Sequence, residues 1–134
     1  VTECDYFATV YNKVRNQGYE IGEDTIFVGA LSDANSTIAN YSYQAGNMLN
    51  DFIVAHDDVL FSGDASGTSF SAPRVSGAAA LVRQKFPNLT GIQIKQVLLQ
   101  TATDLGTSGP DNIYGYGKLN LENAMSPQGK VIAK

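Results

Sequence analysis

Gly67-Thr68-Ser69-Phe70-Ser71-Ala72-Pro73 runs directly into Arg74-Val75-Ser76-Gly77-Ala78-Ala79-Ala80. Gly67 has no β-carbon and so permits a tight backbone turn into a helix. Thr68 and Ser69 suit the first turn of that helix. Pro73 falls close enough to its start that the missing N–H costs less than it would in mid-helix. The spacing predicts a helix over about 69–86. Its small residues, Ser76 to Ala80, predict close approach to neighbouring backbone, and Leu81, Val82 and Phe86 supply apolar bulk. A serine at such a position has chemical use. Its hydroxyl is a poor nucleophile until a base removes the proton and donors stabilise the oxyanion that forms. The unpaired N–H groups and partial positive charge of a helix N-terminus supply part of that stabilisation. A bare Gly-Thr-Ser reads equally well as an ordinary capped helix. The hydrolase pattern Gly-x-Ser-x-Gly does not apply, because position 71 is serine.

The full run resembles the nucleophile motif of subtilisin-like serine peptidases (subtilases): Gly-Thr-Ser-x-(Ser/Ala)-x-Pro, then a small-residue helix. Upstream, Thr25-Ile26-Phe27-Val28-Gly29-Ala30-Leu31 reads as a buried strand. It is similar to the family strand that ends in Val-Gly-Ala. Asn40-Tyr41-Ser42 resembles the family's Ser-Phe-Ser segment, and Phe52-Ile53-Val54-Ala55 the strand that leads into Ala-Pro-Gly. Gln96 to Gly106 follows the family's second helix. Tyr114-Gly115-Tyr116-Gly117-Lys118-Leu119-Asn120 through Ala124 resembles its closing signature. The likeness covers about residues 25–126, and its wording is most like the subtilases of bacterial autotransporters. It departs at Ala55-His56-Asp57, where Ala-Pro-Gly is usual, at Phe70, often Met, and at Arg74, often His.

The resemblance implies an α/β fold, of which this chain is the C-terminal portion: a three-layer arrangement with a mainly parallel sheet flanked by helices. It implies Ser69 as the catalytic nucleophile, with the Ser69 N–H, the Thr68 hydroxyl and the Gly67 turn as oxyanion support. Subtilases order their triad Asp, His, Ser. The markers Asp-(Ser/Thr)-Gly and His-Gly-Thr-His are absent here, as is an oxyanion-hole Asn in its Ala-Gly-Asn context. The single histidine, His56, is followed by Asp57 and Asp58. It is not taken as a triad base: the family register puts it just past a strand, in a turn, and adjacent side chains on extended backbone diverge. Geometry, not the presence of residue types, defines a triad.

The chain starts with Val1 rather than Met and in mid-fold by that register. The expectation is therefore a C-terminal piece of a serine endopeptidase domain, inactive by itself, whose first partner is the missing N-terminal part. The parent's substrates are expected to be polypeptides, and its location secreted or at the cell surface. The alternative is a non-catalytic folding, assembly or binding module derived from a subtilase. Sheet edges and apolar faces made for an absent half predict homo-oligomers or swapped elements.

Composition sets outer bounds. The 134 residues fit one compact domain, and 43% hydrophobic content is enough for a core. A net charge of −4 argues against a nucleic-acid partner. No apolar run is long enough for a membrane-spanning helix. One cysteine, Cys4, excludes an internal disulfide. The sequons at Asn35, Asn40 and Asn88 read as chance matches in an Asn/Ser/Thr-rich chain. Asp57, Asp58 and Asp64 raise the question of calcium, a structural ion in some such parents. They lack EF-hand spacing and read, with Asp104 and Asp111, as solvated loop charges. No metal site and no cofactor are expected.

Three segments follow. Residues 1–24 form an N-terminal helical segment, with Phe7, Val10, Tyr11 and Val14 at helical spacing before Gly18. Residues 25–126 form the subtilase part. Residues 127–134 form a tail or linker. Within the middle part, a short strand is expected near Ile38–Tyr43. Thr90 and Gln93 form a capping box for a helix reaching about 103, with Ile94, Val97, Leu98 and Thr101 on one face. Asn120 caps a last short helix that ends before Pro127.

Overall fold

The computed structural model describes residues 13, 16–18, 23–32, 37–57 and 67–127. Most of the expected N-terminal helix, the acids Asp58 and Asp64, and the tail beyond Pro127 lie outside the described residues.

Two parallel strands form the centre, β1 (Phe27–Leu31) and β2 (Phe52–His56). They pair in register from Phe27 with Phe52 to Leu31 with His56. Both are apolar runs, as expected of parallel strands covered on two faces. The alternation of side chains along β2 divides the interior in two. Ile53 and Ala55 face a core built from Val75, Ala78, Val82, Ile94, Val97, Leu98, Leu99 and Ala124. Phe52 and Val54 face the other side, with Leu31, Ala45 and Met48. Three helices supply the first core: α1 (Thr68–Lys85), α2 (Gly91–Gln100) and α3 (Leu121–Met125). A 3-10 helix over Gly46–Asp51, with Leu105 and Tyr114, covers the second.

The expected strand near Ile38–Tyr43 is not formed. Leu31 and Ile38 make only an isolated antiparallel bridge. The chain turns at once, with the Ser42 N–H donating to Ala39 O at 3.0 Å. Ser42 then does with its side chain what a strand does with its backbone. Its buried Oγ accepts from the Ala30 N–H at 3.0 Å and donates to Tyr43 O at 2.9 Å. The Ala39 N–H donates to Ala30 O and the Ser32 N–H to Thr37 O, both at 2.8 Å. The outer edge of β1 is thus occupied at Ala30 and beyond. By strand alternation Val28 points its backbone groups the same way, and they have no partner among the described residues.

The far edge of β2 is closed by the returning chain. Phe52 O accepts from the Tyr116 N–H, the Val54 N–H donates to Gly117 O, and Val54 O accepts from the Leu119 N–H, all at 2.8–2.9 Å. Gly115 and Gly117 make this approach possible. Both have positive φ, and a β-carbon would come within 2.3 Å of Phe52 O at Gly115 and 2.1 Å of Thr103 O at Gly117.

The helices follow their sequence signals closely. In α2 the capping box is complete: the Gln93 N–H donates to Thr90 Oγ1 and the Thr90 N–H to Gln93 Oε1. α2 ends at Gln100, before the expected 103. Asn120 Oδ1 accepts from the Asn123 N–H at the start of α3. α1 tolerates Pro73, whose missing N–H deprives only the Ser69 carbonyl of its helical donor. Its small residues divide: Ala78 is buried in the core and Ala79 packs against it, as expected, but the others face outward. The buried stripe is Ser71, Val75, Ala78 and Val82, while Ser76, Gly77, Ala80 and Leu81 are exposed. A β-carbon on Gly77 would meet nothing within 4 Å.

Candidate active site

β2 ends at His56, and the chain re-enters the described structure at Gly67, the N-cap of α1. Gly67 takes φ +139 and ψ 158, a backbone conformation that L side chains rarely adopt. This bend puts Thr68 and Ser69 in the first helical turn. The Phe70 N–H donates back to Gly67 O at 2.9 Å. Thr68 and Ser69, as the first two helical residues, have N–H groups with no acceptor inside the helix. Ser69 is exposed, Thr68 is half-buried, and Phe70 beside them is 37% exposed. The three expected site residues therefore stand together at a helix N-terminus, with Ser69 exposed among the described residues. No hydrogen bond reaches Ser69 Oγ among the described residues.

His56 is not in a turn. It is the last residue of β2, half-buried and in register with Leu31. The strand continues one residue further than its apolar run because pairing with β1 extends that far. His56 and Ser69 share no hydrogen bond.

Asp57 is the site residue that the sequence reading missed. It is buried rather than solvated, and its Oδ2 accepts from the Gly67 N–H at 3.3 Å. A buried carboxylate is costly unless hydrogen-bonded, and the positive end of α1 offsets that cost further. The available signal was the N3 position of α1. It is Phe70, which cannot accept the N-cap N–H as Gln93 does in α2. The first turn of α1 also holds no acid of its own. Asp104 and Asp111 are likewise structural: Asp104 Oδ2 accepts from the Gly109 N–H, and Asp111 Oδ1 from the Ile113 and Tyr114 N–H groups.

The sequence model of the Subtilase family matches residues 11–117. An extracellular serine protease of Serratia marcescens is 37% identical over 106 residues, 77% of this chain and 10% of that protein. The Neisserial autotransporter lipoprotein NalP of Neisseria meningitidis serogroup B is 46% identical over 61 residues, 46% of this chain and 6% of that protein. Among solved structures, fervidolysin from Fervidobacterium pennivorans, a keratinolytic enzyme related to subtilisin, superposes with a TM-score of 0.64. Its identity is 27%, over 83% of this chain and 20% of that one. MycP1 from the ESX-1 type VII secretion system gives 0.63 at 30% identity, over 81% of this chain and 33% of that one. The matched part of the chain thus spans about a tenth of the length of the Serratia protease and no more than about a fifth of the other curated relatives. With a match over residues 11–117, the chain belongs to the Subtilase family.

Proposed function

We propose that this chain is the C-terminal, nucleophile-bearing part of a serine endopeptidase domain, with residues 25–126 as its body. The observation that carries this reading is the exposed Ser69 in the first turn of α1, beside N–H groups without helical acceptors. In the proposed reaction a base on the upstream part takes the Ser69 proton. Oγ attacks the carbonyl carbon of a peptide bond, and the oxygen takes up the electron pair of the C=O double bond. The Ser69 N–H, the Thr68 hydroxyl and the partial positive charge of α1 stabilise that oxyanion. Collapse expels the amine, which takes the proton from the base, and leaves an acyl ester on Ser69. Water, deprotonated by the same base, then releases the carboxylate and restores the hydroxyl.

On this reading the 134-residue chain alone is inactive, because nothing among its described residues activates Ser69. Its partners are polypeptide substrates and the upstream part of its own domain, for which the edge at Val28, unpaired among the described residues, and the exposed face of α1 are suited. Alone, the chain self-associates through that edge. The Serratia relative is described as extracellular and the Neisseria relative as an autotransporter, which supports a secreted or surface location. The test is fluorophosphonate labelling of three proteins: this chain, the longer protein that carries it, and that protein with Ser69→Ala. Labelling of the longer form alone, lost in the variant, is expected. A folded longer protein that does not react overturns the reading and leaves a non-catalytic module.

A further inference from the structure

The geometry points to Asp57 as a positioning residue for Ser69, an inference that rests on the peptidase reading above. The two capped helices differ in one respect. In α2 the N-cap N–H is held from within the helix, by the Gln93 side chain. In α1 the equivalent N–H, that of Gly67, is held from outside, by a carboxylate at the end of β2. Gly67 has no side chain to fix it and sits in a conformation open only to glycine-like backbones. A β-carbon there would meet nothing within 4 Å, so packing does not fix it either. Core packing through Val75, Ala78 and Val82 seats the body of α1 on the sheet; among the described residues, the Asp57 hydrogen bond is the contact that ties its N-cap N–H to the end of β2, and Ser69 lies two residues on. Asp57 stands where the sequence departs from the usual Ala-Pro-Gly, so this contact depends on a side chain that a glycine at that position would lack. Asp57 touches neither substrate nor reacting atoms in this account; it acts through Gly67.

The experiment uses the longer protein and compares wild type, Asp57→Ala and Asp57→Asn. Two quantities are read: the first-order inactivation constant of a fluorophosphonate separated from its binding constant, and amide hydrogen exchange of the peptide containing Gly67. Asp57→Ala is expected to lower the inactivation constant about ten- to hundredfold, as small misplacements of a reacting group do. Its binding constant is unchanged, and exchange at Gly67 rises while exchange across α2 does not. Asp57→Asn keeps an oxygen acceptor in place and recovers the rate to within about fivefold, the difference between a charged and a neutral acceptor. If Asp57→Ala does not fold, Asp57→Glu carries the test: the acceptor is displaced by one methylene, and the rate falls about tenfold. An inactivation constant unchanged in Asp57→Ala, or an Asn variant as slow as Ala, overturns the inference while leaving the peptidase reading intact. A folded wild type that never reacts overturns the peptidase reading, and with it any role for Asp57 in the reaction.

Discussion

Lys95, buried on α2, donates from Nζ to Asp51 Oδ1 at 2.5 Å and so ties that helix to the turn that launches β2. Lys95 is 3% exposed and Asp51 32%, so the ammonium carries most of the desolvation. Leaving the buried ammonium unpaired therefore costs more than leaving the partly exposed carboxylate unpaired. Asp51→Ala is expected to lower stability by about 2–3 kcal/mol, since partial exposure lets water relieve some of the loss. Lys95→Met, similar in volume and uncharged, is expected to stay within about 1 kcal/mol of wild type. Urea unfolding monitored by circular dichroism checks both. Equal losses in the two variants would contradict the asymmetry.

Gly117 and Gly77 predict opposite signs for the same substitution. Gly117→Ala must place a β-carbon within 2.1 Å of Thr103 O on backbone at φ +110. A cost above about 2 kcal/mol is expected, from backbone strain and displacement of the returning chain. Gly77 sits in mid-helix facing open space, where Ala is favoured by about 0.5–1 kcal/mol. In this chain Gly77→Ala is therefore expected to raise the melting temperature. In the longer protein the gain disappears if an upstream element packs on that face.

Ser69→Ala separates reactivity from stability. The side chain is exposed and receives no hydrogen bond among the described residues, so stability is expected to change by less than about 0.5 kcal/mol. Labelling of the longer protein is expected to vanish entirely. A variant that unfolds would mean the serine is a structural cap and not a spare hydroxyl.

Thr90→Ala removes one half of the reciprocal cap of α2 and is expected to cost about 1 kcal/mol. Gln93→Ala removes the other half and is expected to cost less, because the Thr90 N–H is exposed and water can take it. Thermal unfolding of the two variants orders them.

What was legible in the sequence is what neighbours along the chain decide. α1, the Thr90–Gln93 box and the Asn120 cap each rest on contacts within a few residues, the two strands show as short apolar runs before they pair, and each was readable within a few residues of its bounds. The Gly115 and Gly117 signature was readable as a pattern, but its purpose, passage close over Phe52 and Thr103, was not. Asp57, Lys95 and Ser42 escaped for one reason. Each is a polar residue whose environment is set by a partner distant in sequence: Gly67, Asp51 and Ala30. A charge in a loop and a charge sealed against a helix start look identical until the fold brings the partner. The expected strand near 38–43 failed similarly, because the Ser42 hydroxyl took the hydrogen bond that a backbone group was expected to make.

The return of Tyr116–Leu119 onto β2 gives the sheet a direction of growth. One margin is sealed by the chain's own later residues, and the other is occupied from Ala30 onward, so among the described residues the place left for an incoming strand is around Val28. A longer ladder there requires Ala39 and Ser42 to peel away first. Strand addition to this molecule is therefore gated: it is short by default and lengthens only at the expense of a contact already made. A strand arriving from a second copy of the chain meets the same toll as one arriving from upstream in the same polypeptide, which leaves tethering, and not edge chemistry, to decide between them.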